Sequence, residues 1–233
     1  MAAILRVQDV TKRFHENEIV LRGVNLEVKE SSFTVILGPS GSGKSTLLNV
    51  MSGLLRPTTG QVLYKETDVV QMSQKELAGW KRNEISNIFQ NYFLLPNLTV
   101  EENIIIGLPD TGSGLKVDEV TRLLGIDDLL QKFPTKLSGG QQQRIAIARG
   151  IIKNPAVLFC DEATGALDEE NNKSVMRLLH KIHETYGTTV LFITHNMKIA
   201  ETAERVIFIK DGVIVQDTRN ENPLTVDEVN WGV

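Results

Sequence analysis

The sequence predicts an α/β fold with a mostly parallel buried sheet, an antiparallel β part at the N-terminal end and an inserted helical subdomain. Three observations predict it. "FTVIL" (33–37), "AVLFC" (156–160) and "TVLFI" (189–193) are continuously apolar, as strands buried on both faces are, and each is followed by a helical pattern. "ILRVQDV" (4–10) and "VNLEVK" (24–29) alternate apolar and polar residues, as half-buried antiparallel strands do. From about 91 to 150 strand signals vanish, and helical segments and loops take over. The expected organisation is one domain: a core of 1–90 and 151–220, a helical insert of 91–150, and a loose tail of 221–233.

In chain order, the first apolar strand runs into "GPSGSGKST" (38–46), which fits G-x-x-x-x-G-K-[ST] and precedes a helical stretch, "KSTLLNVMSG". Gly38, Gly41 and Gly43 let the backbone bend until successive amide hydrogens point at phosphate oxygens. The helix starting near Lys44 adds the positive end of its dipole. Lys44 is expected at the β- and γ-phosphates and the Ser45 hydroxyl on Mg²⁺, with Ser40, Ser42 and Thr46 in the same cradle. The core is therefore expected to be that of a P-loop nucleoside triphosphatase.

The strand at 156–160 ends in two acids. Asp161 is placed to hold Mg²⁺, and Glu162 to face the γ-phosphate and polarise an attacking water. A helix-capping pair is the lesser alternative. Cys160 is expected to be a small buried core residue. The following helix, 169–187, carries His180 and His183 three residues apart with no third ligand, so a solvated face is expected there before a metal site. Trp80 and Trp231 are isolated aromatics. The strand at 189–193 delivers His195 to its carboxyl end, where ligand sites of α/β proteins gather. A helix, "NMKIAETA", then leads into "RVIFIKDGVIVQD", two strands turning at Asp211-Gly212.

Composition narrows the class. The chain has 233 residues, 41% hydrophobic and 23% charged, with a net charge of −4. A mild acidity argues against a nucleic-acid partner. No apolar run approaches the ~20 residues that span a bilayer, and the N-terminus lacks a signal-peptide pattern. With one cysteine there is no internal disulfide, so a cytoplasmic protein is expected.

"LSGGQQQRIAIAR" (137–149) offers no nucleophile, carboxylate or metal ligand, yet places a bare Ser-Gly-Gly at a helix start. It resembles the signature sequence of the ATP-binding cassette family. The P-loop, Gln90 in "NIFQN", "DE" at 161–162, "GALD" at 165–168 and His195 also occur in that family's order. The resemblance implies ATP and Mg²⁺ as ligands and two domains packed head to tail, each signature capping the ATP on its partner's P-loop. Ser138, Gly139, Gly140 and Gln141 would then be half of a site. It further implies that Gln90 contacts Mg²⁺ and the attacking water, and that His195 contacts the γ-phosphate and orients Glu162 and its water. Asp168 would lie at the dimer interface. Phe14 matches the position where an aromatic ring stacks on adenine, usually a tyrosine, with a core role as the alternative.

Two departures stand out: Ala163 replaces the usual proline, and 107–118 is short and glycine-rich. With "NIFQNYFLLPNLTVEENI" and "DEATGALD", the chain resembles the branch of lipoprotein-releasing, macrolide-exporter and cell-division ATPases, without the C-terminal regulatory domain of many importers. That implies an ATPase homodimer, peripheral on the inner face of the cell membrane, powering a permease in an exporter or mechanotransmission complex. A regulatory ATPase on a permease-like signalling complex is the alternative. "YFLLPNL" (92–98) is suited to grip a permease helix, or in part to serve the core.

Overall fold

A computed structural model describes residues 2–15, 18–109, 111–163 and 169–231. β1 (Ala3–His15) and β2 (Glu18–Lys29) pair antiparallel and extend beyond their alternating centres. The wholly buried β3 (Phe33–Leu37) leads to α1 (Lys44–Met51). β4 (Thr59–Tyr64) and the short β5 (Thr67–Asp68) complete an antiparallel sheet in the order β2-β1-β4-β5. α2 (Gln74–Asn83) starts at a reciprocal cap between Ser73 and Glu76 and returns the chain to β6 (Ile85–Phe89).

The chain is then helical: α3 (Val100–Ile105), α4 (Val117–Leu124) and α5 (Gly139–Ile151). After them come β7 (Val157–Asp161), α6 (Glu169–Tyr186), β8 (Thr189–Thr194), α7 (Met197–Ala200), β9 (Arg205–Lys210) and β10 (Val213–Arg219). The main sheet has the order β10-β9-β3-β8-β7-β6. All its pairings are parallel except the β9–β10 hairpin.

The apolar strand runs are continuous because each feeds two cores. Phe33, Val35, Leu158, Cys160, Val190 and Phe192 pack against α5, α6 and the helical insert. Ile36, Val157, Phe159, Leu191 and Ile193 pack on the other face against α1 and the antiparallel sheet. Alternate side chains of one strand thus serve opposite layers.

Three features differ from expectation. β6 is a parallel strand with polar residues in it; Ser86 is buried there because its hydroxyl donates to the Gly150 carbonyl at 2.6 Å. The segment expected as a loose tail is docked up to Trp231. Val226 and Val229 are buried, Trp231 Nε1 donates to the Val226 carbonyl at 2.8 Å, and Asp227 pairs with Arg177 of α6. His180 and His183 do not form a solvated face. The His180 ring stacks on Phe33 with centroids 4.1 Å apart, and burial, helped by His183, pulls its pKa down to about 4.

Candidate active site

The loop after β3 is forced by contacts as well as by conformation. A Cβ on Gly38 would stand 2.2 Å from the Ile209 carbonyl oxygen, so only glycine lets the loop pass β9. Gly43 takes φ 101 as the N-cap of α1 and supplies no side-chain cap. The first-turn amides of α1 therefore keep their donors for an anion. Lys44 is buried, with its ammonium donating to the carbonyl oxygens of Gly38 and Pro39 at 2.8 and 2.9 Å. Burial lowers its pKa, while Glu162 and Asp161 pull it back up.

Phe14, Glu18, Val20, the loop 40–46 and Glu162 line one cleft of about 330 Å³ over this loop. Phe14 is 48% exposed, which removes the core role as its explanation. Glu18 and Val20 enter from β2; their only sequence signal is membership of a strand paired with the one carrying Phe14.

The carboxylates approach from β7. Asp161 ends that strand, flanked in register by Phe89 and Ile193, and its Oδ1 accepts from the Ser45 hydroxyl at 2.9 Å. Burial pushes the Asp161 carboxyl up; the Ser45 bond opposes this, Glu162 adds to it, and Lys44 opposes it again. Adjacent strand residues point to opposite faces. Here Glu162 takes φ 46, which breaks the alternation and lets both acids reach the loop. Its amide donates to the Ile193 carbonyl at 3.1 Å, tying the turn to β8. His195 follows β8, its Nδ1 3.3 Å from Glu162 Oε1. A hydrogen bond from the Asn196 amide to Thr194 Oγ1 spans it, and Asn196 then caps α7.

Other expected residues sit elsewhere. Gln90 leaves β6 exposed and lines a separate groove of about 350 Å³ with Tyr92, Phe93, Leu94, Pro96 and Gln142. Arg149 holds this groove's rim, donating to the carbonyls of Phe93 and Tyr92 at 2.7 Å each. Ser138 caps α5, accepting from the Gln141 amide at 3.3 Å, while Gln141 Oε1 accepts from the Ser138 amide at 3.0 Å. Ser138 and Gly139 are exposed and do not line this chain's own cleft. Gly140 is buried: a Cβ there would stand 2.5 Å from Asn171 Oδ1. Asp168 lies outside the described residues.

With that geometry in place, the family model described as ABC transporter matches residues 21–165. The chain belongs to the ABC transporter family. A Mycoplasma pneumoniae protein described as a putative ABC transporter ATP-binding protein is 45% identical over 91% of this chain and 46% of its own length. The macrolide export ATP-binding/permease protein MacB of Syntrophobacter fumaroxidans is 38% identical over 91% of this chain and 31% of its own. The chain thus spans less than half of these relatives. Among solved structures, a dimeric post-hydrolysis state of the ATP-binding cassette MJ0796 bound to ADP and Pi superposes with a TM-score of 0.84. It is 34% identical and covers 94% of this chain and 99% of that one.

Within this ABC cassette the expected residues therefore fall into two groups. Phe14, the P-loop, Asp161, Glu162 and His195 form one site. Ser138 and Gly139 are exposed and do not line that cleft, and Gln141 is folded back onto its cap. Asn171, whose side chain makes alanine impossible at 140 without movement, carried no sequence signal.

Proposed function

We propose that this ABC-type ATPase hydrolyses ATP as a nucleotide-closed homodimer and thereby powers a membrane permease partner, of exporter or mechanotransmission type, on the cytoplasmic face. The observation that carries the catalytic part is the cluster of Ser45, Asp161, Glu162 and His195 at the mouth of the Gly38–Thr46 loop.

Phe14 offers its exposed ring to the adenine, and the loop amides with Lys44 take the phosphates. The Ser45 hydroxyl and the half-buried Asp161 carboxylate, one oxygen donor bonded to the other, are the pair that would hold Mg²⁺. Once bound, Mg²⁺ would neutralise charge on the phosphate oxygens. Asp161 is pushed up by burial, so a cation beside it relieves a carboxylate that the fold leaves under-compensated. Glu162 is the carboxylate free to polarise water, and His195 orients it through Oε1. Gln90 follows β6 and lines the neighbouring groove, not this cleft. Among the described residues the Ser138 hydroxyl proton has no acceptor, because the cap uses only its oxygen as acceptor. That proton and the amides of the α5 N-terminus suit the γ-phosphate held by a second copy.

The groove beside Gln90 fits the permease. Phe93 is exposed at φ 48, braced by the Phe89 ring at 5.5 Å and by Arg149, and presents an apolar anchor for a partner helix.

The test is Glu162→Gln. Turnover should fall roughly 10²–10⁴-fold with ATP affinity retained, the range for loss of a general base. Near-wild-type turnover would move the base elsewhere.

A further inference from the structure

Lys12 stands two residues before Phe14 on β1, where the pairing with β2 is irregular, and the two side chains meet. Its ammonium lies over the Phe14 ring, 5.2 Å from the centroid, and donates to the Arg56 carbonyl at 2.9 Å. The ring has two faces. Phe14 lines the phosphate cleft, and Lys12 is not among the residues lining it, so the ring carries the ammonium on one face and borders the cleft as well.

The anchor is itself fixed. Arg56 lies in the loop after α1, and that loop is bound to β1 twice more. The Thr58 amide donates to the Thr11 carbonyl at 2.8 Å, and the Arg13 amide to Thr58 Oγ1 at 2.9 Å. α1 carries the phosphate loop at its N-terminus and Lys12's anchor just past its C-terminus. The platform for the base and the cradle for the phosphates are thus held by one helix and its flanking loops.

We propose that Lys12 is a positioning residue for the nucleotide base, holding the Phe14 ring from behind so that its cleft face meets the purine. This rests on the reading of Phe14 as the adenine platform. The cation also draws ring electron density toward itself, which leaves the opposite face better suited to an electron-rich purine. An exposed leucine or serine at 12 would leave the ring, half in solvent on the end of a hairpin, free to rotate.

The test compares ATP with inorganic tripolyphosphate, which has no base, by titration calorimetry on the intact chain. Lys12→Met should weaken ATP binding about two- to fivefold, the range for an exposed cation–π contact, and leave tripolyphosphate binding unchanged. Lys12→Arg, which keeps both the donor and the cation, should restore ATP affinity. In a Phe14→Ala background Lys12→Met should add nothing. Equal losses for ATP and tripolyphosphate would reduce Lys12 to a distant attractive charge and overturn the proposal. Unchanged ATP binding in Lys12→Met, with a clear loss in Phe14→Ala, would overturn it while leaving the platform standing. If Phe14→Ala binds ATP normally, the platform falls and the proposal with it.

Discussion

Asp161 shows how a single residue is kept in a state that suits its ligand better than its own fold. Burial raises its pKa, so at neutral pH the native chain carries an ionised carboxylate it disfavours relative to the unfolded chain. The sign follows directly. A carboxyl raised by folding contributes stability at low pH, and that contribution is lost as pH rises through the folded-state value. Asp161→Asn keeps an acceptor for the Ser45 hydroxyl and removes the charge. The variant should melt at a higher temperature than the wild type at pH 7.5 without nucleotide, and the advantage should vanish in acid. With ATP and Mg²⁺ added, the wild type should gain stability and the variant little, since ligand binding stabilises by mass action. Paired melting curves check both; a variant that melts lower without nucleotide would make Asp161 a structural rather than a ligand-poised group. The neighbouring residue, Glu162, was legible as the candidate base from its position after an apolar run. Its φ of 46 was not, because the sequence offers no glycine or asparagine to announce a left-handed turn.

At the scale of elements, the helices α5 and α6 connect the surface serine to the core. Arg144 of α5 donates to the Leu124 carbonyl and, at 2.8 Å, to Ser174 Oγ of α6, while Gly140 packs directly on Asn171 of α6. The sequence suggested bare glycines for a phosphate; the structure gives the second one a nearer reason. Gly140→Ala should displace the Asn171 carboxamide, the far end of a flexible side chain, and cost about 1 kcal/mol, the low end for overpacking, measurable by urea unfolding. Gly140→Ala with Asn171→Ala should recover most of that loss, because the contact atom is gone. If the double variant is no more stable than the single one, the strain lies elsewhere. The elements that sequence reasoning found are those with a strong local signature: buried apolar runs, a glycine loop, a hairpin at Asp211-Gly212. Those it missed depend on partners far along the chain. β6 is hidden by Ser86, whose burial depends on Gly150. The C-terminal segment depends on Arg177 and on a cleft at α6 that sequence patterning does not describe. α2 was legible in principle from its Ser73–Glu76 cap.

At the scale of the whole molecule, the two halves of the proposed site lie on different parts of one chain. The cleft over α1 has base, phosphate and acid positions, and Ser138 with Gly139 forms an exposed helix start that does not line it. In the proposed dimer a second copy would supply what each lacks, so ATP would lie at an interface and should hold two chains together. Each chain carries a net charge of −4, and like-charged chains gain little by meeting without a ligand between them. The free chain should therefore run mainly as a monomer. In that arrangement hydrolysis would remove the γ-phosphate from the proposed signature contact, so wild-type dimers should be transient, and Glu162→Gln with ATP and Mg²⁺ should accumulate them. Light scattering on a sizing column reads the mass directly. Adding Ser138→Arg should abolish the dimer, because a long side chain would fill the space over the α5 N-terminus and its cap with Gln141 would be lost. The double variant keeps its own P-loop, so each monomer should still bind ATP. A double variant that dimerises as well as its parent would sink the shared site and leave Ser138 as a helix cap alone.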